Sequence, residues 1–287
     1  MRLSLCQGVP PAALCLMVMC GGLARAQVTQ PDPEPRHAVE GALAYYRVDD
    51  PRSSLDLVLV ELAGRYALSP RYALTGFMGM ALLASSPDGA PVDHAFRPSN
   101  PEVMLWYLSP LSESGLSVRA GAGLAGPLTW IERGPDARLH RTALANAAGL
   151  DGLRRMWRWA PSTTSVVAAT EVDAELHELL LLHAELWSAL LVPSHHEFLR
   201  KRIGLVMPVQ LAPIVRLGPV QAGPRLNAVL MPSQSLDAAQ LSIETFIALH
   251  VGRAFAEVAA TVNIDEPLAG KRGAGVWALH VRGGGEL

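Results

Sequence analysis

The sequence predicts an all-β fold: a transmembrane, antiparallel up-and-down β-barrel, read as twelve strands, with a helical insert in one long loop. Three observations carry this. Stretches of about ten residues alternate apolar and polar side chains, the period at which a strand sends successive side chains to opposite faces. These stretches are joined by tight turns that alternate with longer connections. The chain is also oily, half apolar with only 17% charged residues, which makes membrane association the first class to test.

The alternation is plainest from Gln240 to Asp265. Leu241, Ile243, Ile247 and Leu249 share one face and Ser242, Glu244, Phe246 and His250 the other; the pattern turns at Gly252-Arg253 and resumes with Val258 and Val262 opposite Glu257 and Asp265. Taken in order, a first strand is expected in AVEGALAYYRV from Ala38. Ser54 to Leu68 and Tyr72 to Leu83 follow, hinged at Ser69-Pro70-Arg71. Ser85 to Pro101, with its prolines, reads as a long loop. Glu102 to Leu108 and Gly115 to Ala125 are the next two strands, and Ser165 to Leu176 returns to alternation after an interruption. Leu176 to Val192 fits a helix by composition but its position between strands favours a strand. Lys201 to Leu217 pairs with Val220 to Met231 about Gly218-Pro219, and a last strand runs from Gly273 to Arg282.

The ends and the interruption divide the chain further. Residues 1–26 read as a secretory signal, with Arg2, an apolar run from Ala12 to Met19 and a small-x-small site at Ala24-Arg25-Ala26. A lipid-modified start at Cys20 is the competing reading; Met19 before it is larger than such signals normally carry. All three cysteines lie within this segment, so the mature chain would have neither disulfides nor thiolate chemistry. Residues 27–37 are expected to be a disordered linker and 38–287 the barrel, with 126–164 a long insert rich in Arg and Trp whose middle, Leu139 to Trp159, reads as a helix. The formal charge of −2 argues against nucleic-acid binding.

Hydrocarbon offers no partner to a strand's backbone, so a sheet can cross it only by closing on itself. Strands of about ten residues suit that crossing, and Tyr66, Tyr72, Trp106, Tyr107, Trp187 and Trp277 near strand ends suit aromatic girdles. On hairpins such as RYALSPRYALTGFMGMAL and VRLGPVQAGPRLNAVLMP, with the signal and the absent cysteines, the chain resembles the bacterial outer-membrane β-barrels, porin-like or transporter-like, from Ala38 to Arg282. The resemblance implies a place in the bacterial outer membrane, short turns facing the periplasm, long loops facing outward and lipid as the chief partner. Members commonly end in an aromatic residue; this chain ends Gly283-Gly284-Gly285-Glu286-Leu287.

With the apolar face outward, the polar face lines a lumen. Its candidates for selectivity are Glu61, Arg65, Arg71, Arg119, Glu171, Asp173, Glu175, Glu185, Arg202, Arg216, Arg225, Glu244, Glu257 and Asp265. They either pair across a narrow barrel or line a hydrophilic path. Arg141, Arg154, Arg155 and Arg158 in the insert are candidates for anion or lipid-headgroup contact, unless the insert folds inward as a constriction. His183 with Glu185, and His250 with Glu244, share faces that acid–base chemistry would need. His195-His196 lacks further ligands for a metal, Gly121-Ala122-Gly123 lies within a strand rather than a phosphate loop, and no nucleophile-elbow motif occurs. The expectation is therefore a pore or transporter for small solutes, without cofactor, metal or catalytic site. A lipid-acting membrane enzyme and a closed barrel that scaffolds partners are the alternatives.

Overall fold

The computed structural model describes residues 37–50, 53–87, 93–109, 115–129, 155–194, 204–232, 239–264 and 275–287. The signal reading for 1–26 falls outside them, as does all of the 27–37 linker except His37. The described residues form one sheet of thirteen strands: β1 (Ala38–Asp50), β2 (Ser53–Ser69), β3 (Tyr72–Pro87), β4 (Asp93–Pro98), β5 (Glu102–Leu108), β6 (Leu116–Ala125), β7 (Thr163–His177), β8 (Leu180–Pro193), β9 (Gly204–Leu217), β10 (Val220–Leu230), β11 (Ala239–Val251), β12 (Ala254–Asn263) and β13 (Gly275–Glu286). Neighbours in sequence pair antiparallel except β4 and β5, which both pair with β3, and β1 pairs with both β2 and β13, which closes the ring.

β4 and β5 share one position. β4 lies on the upper part of β3, Met80 to Ser85, and β5 on the lower part, Tyr72 to Phe77. The barrel therefore has twelve positions, one of them broken at Pro98-Ser99-Asn100-Pro101. β4 corrects the expected loop from Ser85 to Pro101; its flanking prolines, which mark turns in a sequence, here mark a break within a strand. Leu180–Pro193 is a strand, held between β7 and β9. The last strand runs past Arg282 to Glu286 because its glycines let β1 and β12 approach: a Cβ on Gly284 would stand 2.6 Å from the Val39 carbonyl oxygen.

The helix expected from Leu139 to Trp159 is corrected where it is described. Met156–Arg158 is a single 3-10 turn, and the rest of that stretch lies outside the described residues. The β9–β10 ladder also skips from Ala222–Val215 to Leu226–Leu211, where Pro213 and Pro224 supply no N–H.

The alternation places the greasy side outward. Leu62, Met78, Leu105, Leu124, Val166, Leu190, Leu226, Ile243, Ile247 and Val262 are exposed on the outer face. β11, 13 residues long, rises about 30 Å along the axis at about 3.3 Å per residue and a tilt of about 40°, the thickness of a hydrocarbon core. Tyr66, Tyr72 and Tyr107 are exposed on the outer face near the tight turns, with Tyr72 edge-on to Tyr107 at 5.7 Å. Tyr45 and Trp277 pack edge-on at the opposite end. Two of the expected girdle residues are corrected: Trp106 and Trp187 are buried and face inward, on the same side as Met104 and Glu185.

Candidate functional site: the barrel lumen

The inward side chains fall into tiers. Near the tight turns the wall is charged. On β6 to β9, Arg119 lies 3.0 Å from Glu171 and 3.3 Å from Asp173. His183 sits between two carboxylates, with Nδ1 2.6 Å from Asp173 and Nε2 2.8 Å from Glu185. The Trp187 indole donates to the other oxygen of Glu185 at 3.0 Å, and Arg216 donates to Glu175 at 2.7 Å. Register explains the set, because Arg119 faces Glu171, and Asp173 faces His183, as cross-strand partners.

The opposite wall carries a second network. Arg225 on β10 donates to Glu244 of β11 at 2.5 Å and reaches over that strand to both oxygens of Glu257 on β12, at 2.9 and 2.6 Å. Arg282 on β13 adds a bond to Glu257 at 2.9 Å and lies 3.7 Å from Glu40 of β1. The Thr261 hydroxyl donates to Glu244 at 2.7 Å, and the Arg225 guanidinium lies over the Phe246 ring at 3.8 Å. Each buried carboxylate thus meets a cation or a donor, which is the condition for keeping charge out of water.

Above this tier a segment of the insert enters the barrel. Met156 to Ala160 are all buried, with Trp157, Trp159 and Ala160 fully enclosed. Glu102, the first residue of β5 below the strand break, takes Arg158 in a two-pronged pair, Nε to Oε2 at 3.1 Å and Nη2 to Oε1 at 2.8 Å. The Trp157 indole N–H donates to the same carboxylate. Asn100, in the break itself, donates its amide to the carbonyls of Trp157 and Ala160 at 3.0 and 2.7 Å and its backbone N–H to that of Arg158. The broken strand thereby gains acceptors that an intact ladder would not have.

An aromatic stack joins the two tiers. Trp157 lies against Trp187, centroids 5.9 Å apart, and Trp106 meets Trp187 edge-on at 5.6 Å. Arg155 lies over Trp187 and Arg158 over Phe77. Gly121 on β6 makes room for this stack, since a Cβ there would fall 2.7 Å from the Trp106 ring. Towards the long connections the lumen is filled: Leu57, Leu59, Leu83, Leu191, Val206 and Met231 pack with Trp157 and Trp159 in one apolar cluster.

The expected lumen residues are placed as follows. Glu61, Arg65, Arg119, Glu171, Asp173, Glu175, Glu185, Arg216, Arg225, Glu244 and Glu257 lie on strand positions of inward parity, and Arg65 is 3.6 Å from Glu286. Arg71 is corrected: it is exposed in the β2–β3 turn. Arg202 and Asp265 lie outside the described residues, as do Arg141, Arg154 and His195-His196. Arg155 and Arg158 are corrected from headgroup contact to the interior, Arg158 because Glu102 neutralises it there. His183 and Glu185 meet; His250 and Glu244 do not, since His250 stacks on Phe255 while Glu244 is taken by Arg225 and Thr261. Glu102 and Asn100 were not among the expected site residues. Their only sequence signal is a carboxylate and an amide beside prolines at a strand start.

A closed ring of twelve antiparallel positions with charge inside and an apolar belt outside is the fold of the bacterial outer-membrane β-barrels. Among solved structures the chain is similar to an outer membrane channel from Pseudomonas putida F1, at 11% identity over 91% of this chain and 100% of that one, with a TM-score of 0.60. It is also similar to the NanC porin, at 5% identity over 86% of this chain and 100% of that one, with a TM-score of 0.52. At these identities the likeness is one of fold. No family model matches the chain, and no curated protein matches it.

Proposed function

We propose that this protein is a channel of the bacterial outer membrane that passes small solutes, occluded in the present conformation by the segment from Arg155 to Ala160. The observation that supports the reading is the distribution of charge. Among the strand residues whose side chains are described, ionised groups line the inner wall, apart from Arg47 and Asp56, which lie 3.9 Å from each other at the end opposite the tight turns. A barrel that served only as a membrane anchor has no need of an arginine–carboxylate belt around its interior. Such a belt suits a path whose wall must stay polar yet paired when it is hydrated. The fold shared with an outer membrane channel supports the same reading.

The apolar cluster around Trp157 and Trp159 favours a second reading, a permanently closed barrel that presents its loops to partners. Planar-bilayer recording separates the two. Purified, refolded protein is expected to give discrete events whose frequency rises when the Arg155–Ala160 segment is released by Glu102→Ala. Silence in both proteins, with circular dichroism showing folded barrels, would overturn the channel reading in favour of the closed one.

A further inference from the structure

One inward patch is used by neither the charged belts nor the occluding segment. On β10 and β11, at the end towards the long connections, Asn227, Gln240 and Ser242 are buried, at 4%, 3% and 5% exposure. Asn227 and Ser242 are cross-strand partners, and Gln240 stands on the same face one pleat beyond Ser242. Among the described residues, neither polar atom of the Gln240 amide has a hydrogen-bond partner, and neither does the Asn227 carbonyl oxygen. Among the described residues the Asn227 amide nitrogen donates to the Arg225 carbonyl, at a long 3.5 Å. A buried amide is costly to leave unpaired, and an apolar residue of the same shape would have avoided that cost. These side chains face the inside of the barrel rather than lipid.

We infer that Gln240 and Asn227 form a subsite for an uncharged, hydroxyl-bearing solute within the conduit. The inference rests on the channel reading, since it supplies the kind of solute that passes. The chemistry follows from the open valences. The Gln240 Nε2 needs an acceptor and its Oε1 a donor, and one hydroxyl group offers both. Charge in the ligand is disfavoured because, among the described residues, the cation beside the patch is already paired: Arg225, two residues from Asn227 on the same face, is held by Glu244 and Glu257. Glu244, on the same face of β11 four residues beyond Gln240, is likewise bound by Arg225 and by the Thr261 hydroxyl. Val229, the register partner of Gln240, belongs to the apolar cluster beside it, so the solute's carbon skeleton has a surface to lie against.

The test uses the full refolded chain in detergent, titrated calorimetrically with xylitol and with glucose, and with sodium gluconate as a charged polyol. Saturable binding of a neutral polyol is expected, weakened about tenfold or more by Gln240→Met, the loss that one paired polar group would carry, and absent for gluconate. Removing an unpaired buried amide does not endanger folding; Ile243→Val on the outer face serves as a control that retains binding. No saturable binding to the wild type, or binding undiminished by both Gln240→Met and Asn227→Leu, overturns the subsite: its amides would then be met by water alone. The channel reading fails separately, by silence in the bilayer recordings. Polyol binding without conductance would refute the channel and, with it, the place of the subsite in a conduit, leaving a polyol site in a closed barrel.

Discussion

Replacing Glu102 by alanine should open the barrel. The Arg158 and Glu102 side chains are only 3% and 4% exposed, so solvent screens their pairing little. Deleting one partner of a buried pair costs about 3–5 kcal/mol, because the surviving charge is left uncompensated. The Trp157 indole loses its acceptor as well, adding about 1–3 kcal/mol if it stays buried. Undocking of the segment returns the guanidinium to water and relieves both penalties. At about 1.4 kcal/mol per factor of ten, the two penalties together should lower the ratio of docked to undocked forms by roughly three to six powers of ten. Single-channel recording reads this as a large rise in open probability. The apolar double variant Glu102→Met with Arg158→Met should restore occlusion, since replacing a buried pair by packed hydrophobic groups is often neutral or stabilising. Equal event frequency in wild type and Glu102→Ala would refute the reasoning. A double variant as open as the single one would show that volume, not charge, holds the segment.

Three further outcomes test the placement of side chains. Ile247→Arg puts a cation on the outer face, where Ile247 is 56% exposed; it should cost about 2–4 kcal/mol in urea titrations of folding into vesicles. Gly121→Val drives a side chain into the Trp106 ring and should lower the unfolding temperature while diminishing the near-ultraviolet dichroism of the Trp106–Trp187 pair. In single-tryptophan variants, brominated lipid should quench Trp277, which is 40% exposed, and spare Trp187, which is 6% exposed; equal quenching would reverse the assigned parity.

Much of this fold was legible because a barrel wall reads itself out at period two. The inward set on β7, β8 and β11 follows from alternation alone, and so does the inward face of Trp187, which shares parity with His183 and Glu185. Proximity to a strand end made Trp187 look like a girdle residue, but parity, not height, decides which solvent a strand residue meets. Which charges pair was not legible. Arg225 reaches over β11 to Glu257, 32 positions away in sequence, and that distance is short only after register and closure are set. β4 was hidden for a related reason: prolines end strands in sequence, yet here the break they make is occupied by Asn100 and its bonds to the insert.

The broken position explains why the segment from Arg155 to Ala160 enters the barrel. A strand break in hydrocarbon leaves backbone and side-chain polar groups that lipid cannot satisfy. At Ser99 and Asn100 those groups are turned to use. The Gly79 N–H bonds the Ser99 hydroxyl at 2.7 Å, and the Thr129 N–H bonds the Asn100 carbonyl oxygen at 2.9 Å. Asn100 then has only its donors to spend, and the Trp157, Arg158 and Ala160 carbonyls are what it meets. Thr129 in turn holds the far end of the segment, its carbonyl accepting from the Ser162 N–H at 2.6 Å. Trp157 and Arg158 are thus held through their own carbonyls before their side chains count. Glu102 decides whether the segment stays, and Asn100 decides where it sits.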